Sequence, residues 1–146
     1  MEYCFEDWDR VIESNLTIPV FLVQKLYNGL LNKNASIIFM GSLAGIIPYS
    51  SSLVYGVSKA GLLFAVKALV KEVEPLRVRI NGIAPGFIET RWQSGRSQES
   101  YNRINAKIAA HRFGEPEEVA QACIALLKNT YINGTILNVD GGYGYF

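Results

Sequence analysis

The chain contains few cysteine and histidine residues, which often carry chemistry, and its first 28 residues lack glycine, the residue typical of phosphate-binding turns. It has two cysteines, one histidine and no glycine before Gly29 in 146 residues. Cys4 and Cys123 are far apart and form no Cys-x-x-Cys pair, which predicts reduced thiols in a cytoplasmic protein. His111 has no acidic or nucleophilic pattern around it, so we interpret it as structural or solvent-exposed. We therefore expect no metal site.

The chain also lacks an excess of charge of either sign. The 14 basic and 13 acidic residues give a net charge of +1, and no basic block predicts a nucleic-acid partner. The acidic start, Met1–Asp7, lacks the basic and apolar regions of a signal peptide. We see no apolar run long enough to span a membrane. The sequence thus predicts one domain, residues 1–146, with neither nucleic acid nor membrane as a partner.

Hydrophobic periodicity predicts helices and strands in alternation. Helices are expected at 6–31, capped by Glu6 or Asp7 and kinked or broken near Pro19, at 53–74, and from Gly114–Glu118 to about Lys128. Strands are expected at 36–40, 77–83 and 135–139. The unbroken apolar run at 36–40 is typical of a strand covered on both faces in a parallel sheet. This order corresponds to half of a doubly wound α/β fold.

Loops at the carboxyl ends of the predicted strands are the expected ligand sites. Ser42 follows the first strand, and residues 84–90 follow the second. In that second loop Pro85 stiffens the backbone and Gly86 permits a close approach to a ligand. Residues 91–111 are polar and irregular, with a weak helix at 101–110, and are a candidate lid.

The central motif of the sequence is Tyr55-x-x-x-Lys59, whose two side chains lie one helical turn apart on the same face. A phenol ordinarily titrates near pH 10. An ammonium about 5 Å away favours the phenolate by roughly 3 kcal/mol at an effective dielectric of about 20. The pattern is common by chance, however, so an ordinary helix-surface pair stays an alternative. Asn15 also has two interpretations, and the residues around it favour a solvent-exposed side chain over one that lines a polar cavity.

Six short motifs occur in a specific order: Asn15-Leu16, Ser42-Leu43-Ala44-Gly45, Tyr55-Gly56-Val57-Ser58-Lys59-Ala60, Asn81–Gly86 with Ile88 and Thr90, Arg112–Ala120, and Val139–Gly142. With Ser42 thirteen residues before Tyr55, the chain resembles the C-terminal portion of the short-chain dehydrogenase/reductase family. The similarity is to the branch with 3-oxoacyl-carrier-protein reductases and many sugar, steroid and alcohol dehydrogenases. It implies a partial Rossmann-like sheet of about three strands with flanking helices.

The resemblance also implies an NAD(P)-dependent oxidoreductase with four catalytic residues. Tyr55 would be the general acid in ketone reduction and the base in alcohol oxidation. Ser42 would hydrogen-bond the substrate oxygen, and Lys59 would assist Tyr55 and hold the nicotinamide ribose. Asn15 would support a water-linked proton relay to Lys59. This role differs from the solvent-exposed side chain that the residues around Asn15 favour.

The cofactor implied by the resemblance is NAD or NADP, and nothing in the sequence chooses between them. The cofactor-binding residues would be Tyr55, Lys59, Pro85, Gly86, Ile88 and Thr90, with the Ile88 backbone and Thr90 on the nicotinamide carboxamide. The substrate would be a small carbonyl or alcohol compound, enclosed by the lid at 91–111. Family members commonly form homo-oligomers through the helices present here.

The chain departs from the family pattern at its start, where no Gly-x-Gly-x-x-Gly is found. That motif opens the half of the fold that holds the pyrophosphate. We therefore expect weak or no cofactor binding, an open edge at residues 37–40, and poor solubility or forced association. Three hypotheses stay open: a reductase completed by another polypeptide, a truncated inactive oligomerisation partner, or a gene remnant.

Overall fold

The computed structural model describes residues 3–27, 35–49 and 52–145 and has an α/β architecture. Its helices are α1 (Phe5–Ile12), α2 (Ile18–Tyr27), α3 (Leu53–Val73), α4 (Gln98–Asn105) and α5 (Pro116–Lys128). Its strands are β1 (Ser36–Met40), β2 (Arg79–Pro85) and β3 (Ile136–Val139). The predicted fold class, a small sheet flanked by helices, is confirmed.

The three strands form one parallel sheet in the order β1-β2-β3. Central β2 is buried from Ile80 to Ala84, which is typical of a parallel strand covered by helices on both faces. β1 pairs only with β2 among the described residues, so one edge of the sheet is open. This is the open edge expected at residues 37–40. Its last residue, Met40, is 45% exposed, so the full coverage expected for this strand was wrong at the edge.

Two apolar clusters hold the elements together. The first joins α2 and α3 to the sheet through Val23, Phe39, Leu62, Val66, Val73, Val78 and Ile80. The second joins the loop after β1, the lid segment and the C-terminal turn through Leu43, Phe87, Ile104, Ile108, Phe113 and Tyr143. The second cluster lies beside the carboxyl ends of the strands, where the candidate site is formed.

The first predicted helix is divided into three parts. A π-helical segment, Glu13–Thr17, separates α1 from α2. Pro19 has no N–H to donate to the carbonyl four residues earlier. The wider turn of the π-helical segment ends two residues before this proline. The residue preceding α1 is Cys4, without a side-chain cap, so the expected caps were wrong, and Glu6 and Asp7 lie inside the first turn. The expected helix end and turn at 28–34 lie outside the described residues.

Two other boundaries differ from the predictions. β2 begins at Arg79 rather than 77 because α3 is prolonged by a 3₁₀ turn, Glu74–Leu76, which ends at Arg77 with a left-handed φ of 55°. In the lid, α4 begins three residues before the expected helix, since the Ser97 hydroxyl accepts a hydrogen bond from the N–H of Ser100 at 3.3 Å.

The segment Leu53–Leu76 is long and apolar enough, by length and composition alone, to cross a membrane. The expectation that no such run exists was therefore wrong on this criterion. A core helix of a globular domain passes the same test, and in this segment Leu62, Leu63 and Val66 are buried. Packing against the sheet accounts for this buried part, 28% of the apolar window, whereas Leu53, Val57 and Phe64 stay exposed.

Candidate active site

The turn that carries Ser42 is pressed against α3. Ser42 is buried, and its Oγ accepts a hydrogen bond from the Ala44 N–H at 3.2 Å. A Cβ added to Gly45 would lie 2.6 Å from the Lys59 carbonyl carbon and from the Ala60 nitrogen. Only glycine permits this approach. The contact fixes the Ser42 turn next to the helical turn between Tyr55 and Lys59.

Tyr55 and Lys59 lie one turn apart on α3, as their spacing predicted, and both are half-buried. The Lys59 Nζ lies 5.8 Å from the centroid of the Tyr55 ring. It donates a hydrogen bond of 2.8 Å to the Met40 carbonyl at the end of β1. Burial lowers the pKa of the Lys59 ammonium, because removing a charge from water disfavours it.

Asn15 lies in the π-helical segment and is joined to the same helix. Its Nδ2 donates to the Ser58 Oγ at 3.2 Å, and that hydroxyl donates to the Tyr55 carbonyl at 2.8 Å. Ser58 is fully buried. The interpretation of Asn15 as a solvent-exposed side chain was therefore wrong. Its place in a proton relay stays a prediction.

The predicted nicotinamide-binding segment follows β2 as an extended chain. Gly114 forms a parallel bridge with Ile88 by bonding to the Phe87 carbonyl at 2.9 Å and the Glu89 N–H at 2.8 Å. The backbone groups of Ile88 itself therefore point the other way, and its carbonyl accepts from Gln93 Nε2 at 3.3 Å. Thr90 makes no side-chain cap bond.

The start of this segment rests on the end of β3. Pro85 is the last residue of β2 and pairs in register with Val139. A Cβ on Gly86 would lie 2.8 Å from the Asp140 Cβ. Gly86 thus serves the packing of one loop on another, which differs from the close approach to a ligand expected from sequence.

Tyr49 is a site residue that the sequence reasoning missed. Its ring lies 5.4 Å from that of Phe87 and 5.7 Å from that of Tyr143. Burial raises the pKa of the Tyr49 hydroxyl, the Ser42 side chain lowers it in part, and the neighbouring Tyr55 and Tyr143 raise it further. Tyr49 therefore adjoins both Ser42 and Tyr55. An aromatic residue in the short loop between those two was the available signal.

The lid segment is anchored beside this aromatic group. The Tyr101 hydroxyl donates to Glu89 Oε2 at 2.7 Å, which raises the pKa of Tyr101. Its ring stacks on Phe113 with centroids 4.1 Å apart. The Arg96 guanidinium lies 5.6 Å from the Phe87 centroid. His111, at the end of the segment, is exposed.

A parallel α/β sheet carries a serine turn, a Tyr-x-x-x-Lys helix and an extended loop at its carboxyl edge, which defines a partial Rossmann-like domain. The family model described as "Enoyl-(Acyl carrier protein) reductase" matches residues 1–144. The chain belongs to the short-chain dehydrogenase/reductase family.

Relatives and solved structures agree with this assignment. Carbonyl reductase family member 4 of Danio rerio is 39% identical over 94% of this chain and 56% of its own length. The 3-oxoacyl-[acyl-carrier-protein] reductase FabG of Thermotoga maritima is 34% identical over 94% of this chain and 57% of its own length. RhlG of Pseudomonas aeruginosa, in an active-site complex with NADP, superposes with a TM-score of 0.86 at 29% identity, over 98% of this chain and 60% of its own. The chain therefore spans a little over half the length of these proteins.

Proposed function

We propose that this chain carries the nicotinamide and proton-transfer end of an NAD(P)-dependent oxidoreductase that interconverts a carbonyl and an alcohol. The observation that carries the proposal is the contact between Gly45 and the Lys59–Ala60 backbone. It holds the Ser42 turn against the helical turn of Tyr55 and Lys59. In the proposed arrangement, the Ser42 hydroxyl and the Tyr55 phenol serve one substrate oxygen, and the Lys59 ammonium lies beside the Tyr55 ring.

Each of the four predicted catalytic residues has a chemical task in this arrangement. The Tyr55 hydroxyl gives a proton to the substrate oxygen in reduction and takes it back in oxidation. The Ser42 hydroxyl donates a hydrogen bond to the same oxygen. The Lys59 ammonium stabilises the phenolate electrostatically. Asn15 holds the Tyr55 turn through Ser58 and faces the groove that Lys59 also lines.

The residues after β2 fit a nicotinamide carboxamide. The bridge to Gly114 directs the Ile88 N–H away from Gly114, and the Thr90 hydroxyl is uncommitted to a helix cap. The Ile88 N–H can donate a hydrogen bond to the carboxamide, and the Thr90 hydroxyl can donate or accept one. When bound, the nicotinamide supplies or accepts the hydride. NADP in the RhlG complex supports this cofactor class without selecting NAD or NADP here.

The lid residues 91–111 and Tyr49 are proposed to form the substrate pocket. Tyr49, Phe87 and Tyr143 place an aromatic wall beside Ser42. Such a wall suits the apolar part of a small carbonyl or alcohol compound. The adenosine half of the cofactor would be held by the part of the family fold that this chain does not span.

Reduced nicotinamide mononucleotide, titrated by ligand-observed NMR, tests the proposal at the half-site. We expect weak saturable binding that is lost in Lys59→Ala. It should persist in Lys67→Ala, which removes an exposed lysine from the same helix. NADH should bind no more tightly than the mononucleotide, because the sequence contains no Gly-x-Gly-x-x-Gly motif for the pyrophosphate.

Equal binding by Lys59→Ala and the unaltered chain would refute the assignment of the nicotinamide site. Tyr55→Phe provides the matched test of the chemistry. This variant should still bind the mononucleotide. If a polypeptide with the rest of the family fold completes the enzyme, Tyr55→Phe should abolish its turnover.

A further inference from the structure

Arg96 is a half-buried cation of the lid segment that has no acidic partner. Across the described residues, 3–27, 35–49 and 52–145, no carboxylate oxygen lies within 4.0 Å of its guanidinium nitrogens. Arg112, by contrast, is paired with Glu118 at 2.6 Å. An arginine keeps its charge at neutral pH, and burying a charge without a partner costs free energy. An anion bound beside Arg96 would therefore be stabilised.

Two hydrogen bonds within the lid hold the Arg96 guanidinium in one orientation. Its Nε donates to Gln93 Oε1 at 2.9 Å, and its Nη1 donates to the Ser100 Oγ at 3.0 Å. Gln93 is itself tied to the loop after β2, because its Nε2 donates to the Ile88 carbonyl at 3.3 Å. An arginine has five N–H groups, and these bonds use two of them. The guanidinium is thus fixed in place while its other N–H groups can still bind a ligand.

The guanidinium lies over the aromatic wall of the proposed substrate pocket. The Arg96 Cζ is 5.6 Å from the centroid of the Phe87 ring. That ring lies 5.4 Å from the ring of Tyr49 and 5.0 Å from the ring of Tyr143. Tyr49 in turn adjoins Ser42. A continuous aromatic surface therefore leads from Ser42 to the cation in the lid.

The acidic residues of the same region leave this cation to a ligand. Glu89 accepts a hydrogen bond from the Tyr101 hydroxyl at 2.7 Å. Glu99 lies in the first turn of α4 and is exposed. Neither carboxylate forms an ion pair with Arg96. A ligand carboxylate would thus meet an available cation and would not have to displace an internal one.

We propose that Arg96 binds a carboxylate of the substrate while the carbonyl or alcohol group of the same molecule lies at Ser42 and Tyr55. The substrate class is then an oxo acid or hydroxy acid whose apolar part lies along the aromatic wall. A planar guanidinium can donate two parallel hydrogen bonds to the two oxygens of a carboxylate. One cation also balances the single charge of a carboxylate, whereas a phosphate dianion would need a second. This inference rests on the proposed function and deepens it by naming the substrate class.

Ligand-observed NMR on the whole chain tests the inference without a cofactor. The probes are levulinate and para-acetylbenzoate, each compared with its uncharged primary amide. We expect at least one of these acids to bind about tenfold more tightly than its amide, as one charge-assisted, bidentate pair can provide. Arg96→Gln should abolish this preference and leave the affinity for the amide unchanged.

Arg103→Gln is the matched control, because Arg103 is exposed on α4 and its side chain makes no hydrogen bond within the described residues. It removes the same charge from the lid and should keep the preference for the acid. Equal affinity for acid and amide in the unaltered chain would overturn the inference, and so would an equal loss of preference in both variants. If Arg96→Gln weakens the amide as much as the acid, the arginine only packs the lid and the inference is wrong.

The result is separate from the test of the nicotinamide site. Lys59→Ala, which should lose the mononucleotide, should keep the preference for the acid. If the preference is present and the mononucleotide does not bind, the cofactor assignment fails while the carboxylate site at Arg96 holds. If the mononucleotide binds and the preference is absent, only the inference about Arg96 is overturned.

Discussion

At the scale of single residues, the site depends on the missing side chain of Gly45. A methyl group there would lie 2.6 Å from two backbone atoms of α3, and neither atom can move without displacing the helix. We predict that Gly45→Ala lowers the free energy of unfolding by about 1–3 kcal/mol, the range for overpacking. Urea denaturation measures this change.

Gly95→Ala is the matched control for this substitution. A Cβ at Gly95 meets nothing within 4 Å, so its effect on stability should stay within about 0.5 kcal/mol. If the two variants unfold at the same urea concentration, the Ser42 turn is not held by direct packing on α3.

At the scale of elements, Arg79 ties β2 to the end of α5. Its guanidinium donates to the carbonyls of Leu126, Leu127 and Ile132, each at 2.9 Å. The first two are last-turn carbonyls of α5 without intrahelical partners, which a basic side chain can satisfy. We predict that Arg79→Met costs about 2 kcal/mol, measured as a shift of the denaturation midpoint.

Arg77→Met provides the comparison, because Arg77 is exposed and its side chain makes no hydrogen bond among the described residues. It should leave the midpoint almost unchanged. A loss of similar size in both variants would point to a general effect of charge rather than to the capping of α5.

Elements defined by local signals were predictable from the sequence. β1 has the expected bounds because an unbroken apolar run ends at a glycine, and α5 begins at Pro116, as the proline and the acids of Gly114–Glu118 predicted. For the π-helical segment, the sequence predicted a kink or break near Pro19 but not the wider turn or its distant packing partner. Leu16 packs against Gly61, where a Cβ would lie 2.9 Å from its Cδ2.

The candidate site was likewise predictable where local sequence signals define it and not where it depends on contacts between distant residues. The positions of Ser42, Tyr55 and Lys59 at the carboxyl edge followed from motif and spacing, whereas the bond from Lys59 to the Met40 carbonyl was not predicted, because it depends on the rotamer that the lysine adopts in the fold. The place of Asn15 was also beyond local reasoning, because its partner Ser58 lies 43 residues away. The position of Tyr49 beside Ser42 and Tyr55 depends on the conformation of its loop, which the sequence did not predict.

At the scale of the whole molecule, an exposed apolar stripe runs along α3. Leu53, Val57 and Phe64 are 48%, 43% and 72% exposed, with the small residues Ala60 and Ala68 between and beside them. Their spacing of three, four and seven positions places them on one helix face. Such a face is stabilised by pairing with the same face of a second copy, which is consistent with the homo-oligomer proposed from the family.

We predict that Phe64→Glu shifts the chain toward monomer in sedimentation velocity, because a carboxylate would be desolvated at the centre of the paired helices. Trp92→Glu is the control, since Trp92 is 88% exposed but lies in the lid. It should leave the association unchanged. An unaltered sedimentation profile for Phe64→Glu would exclude the α3 stripe as the interface.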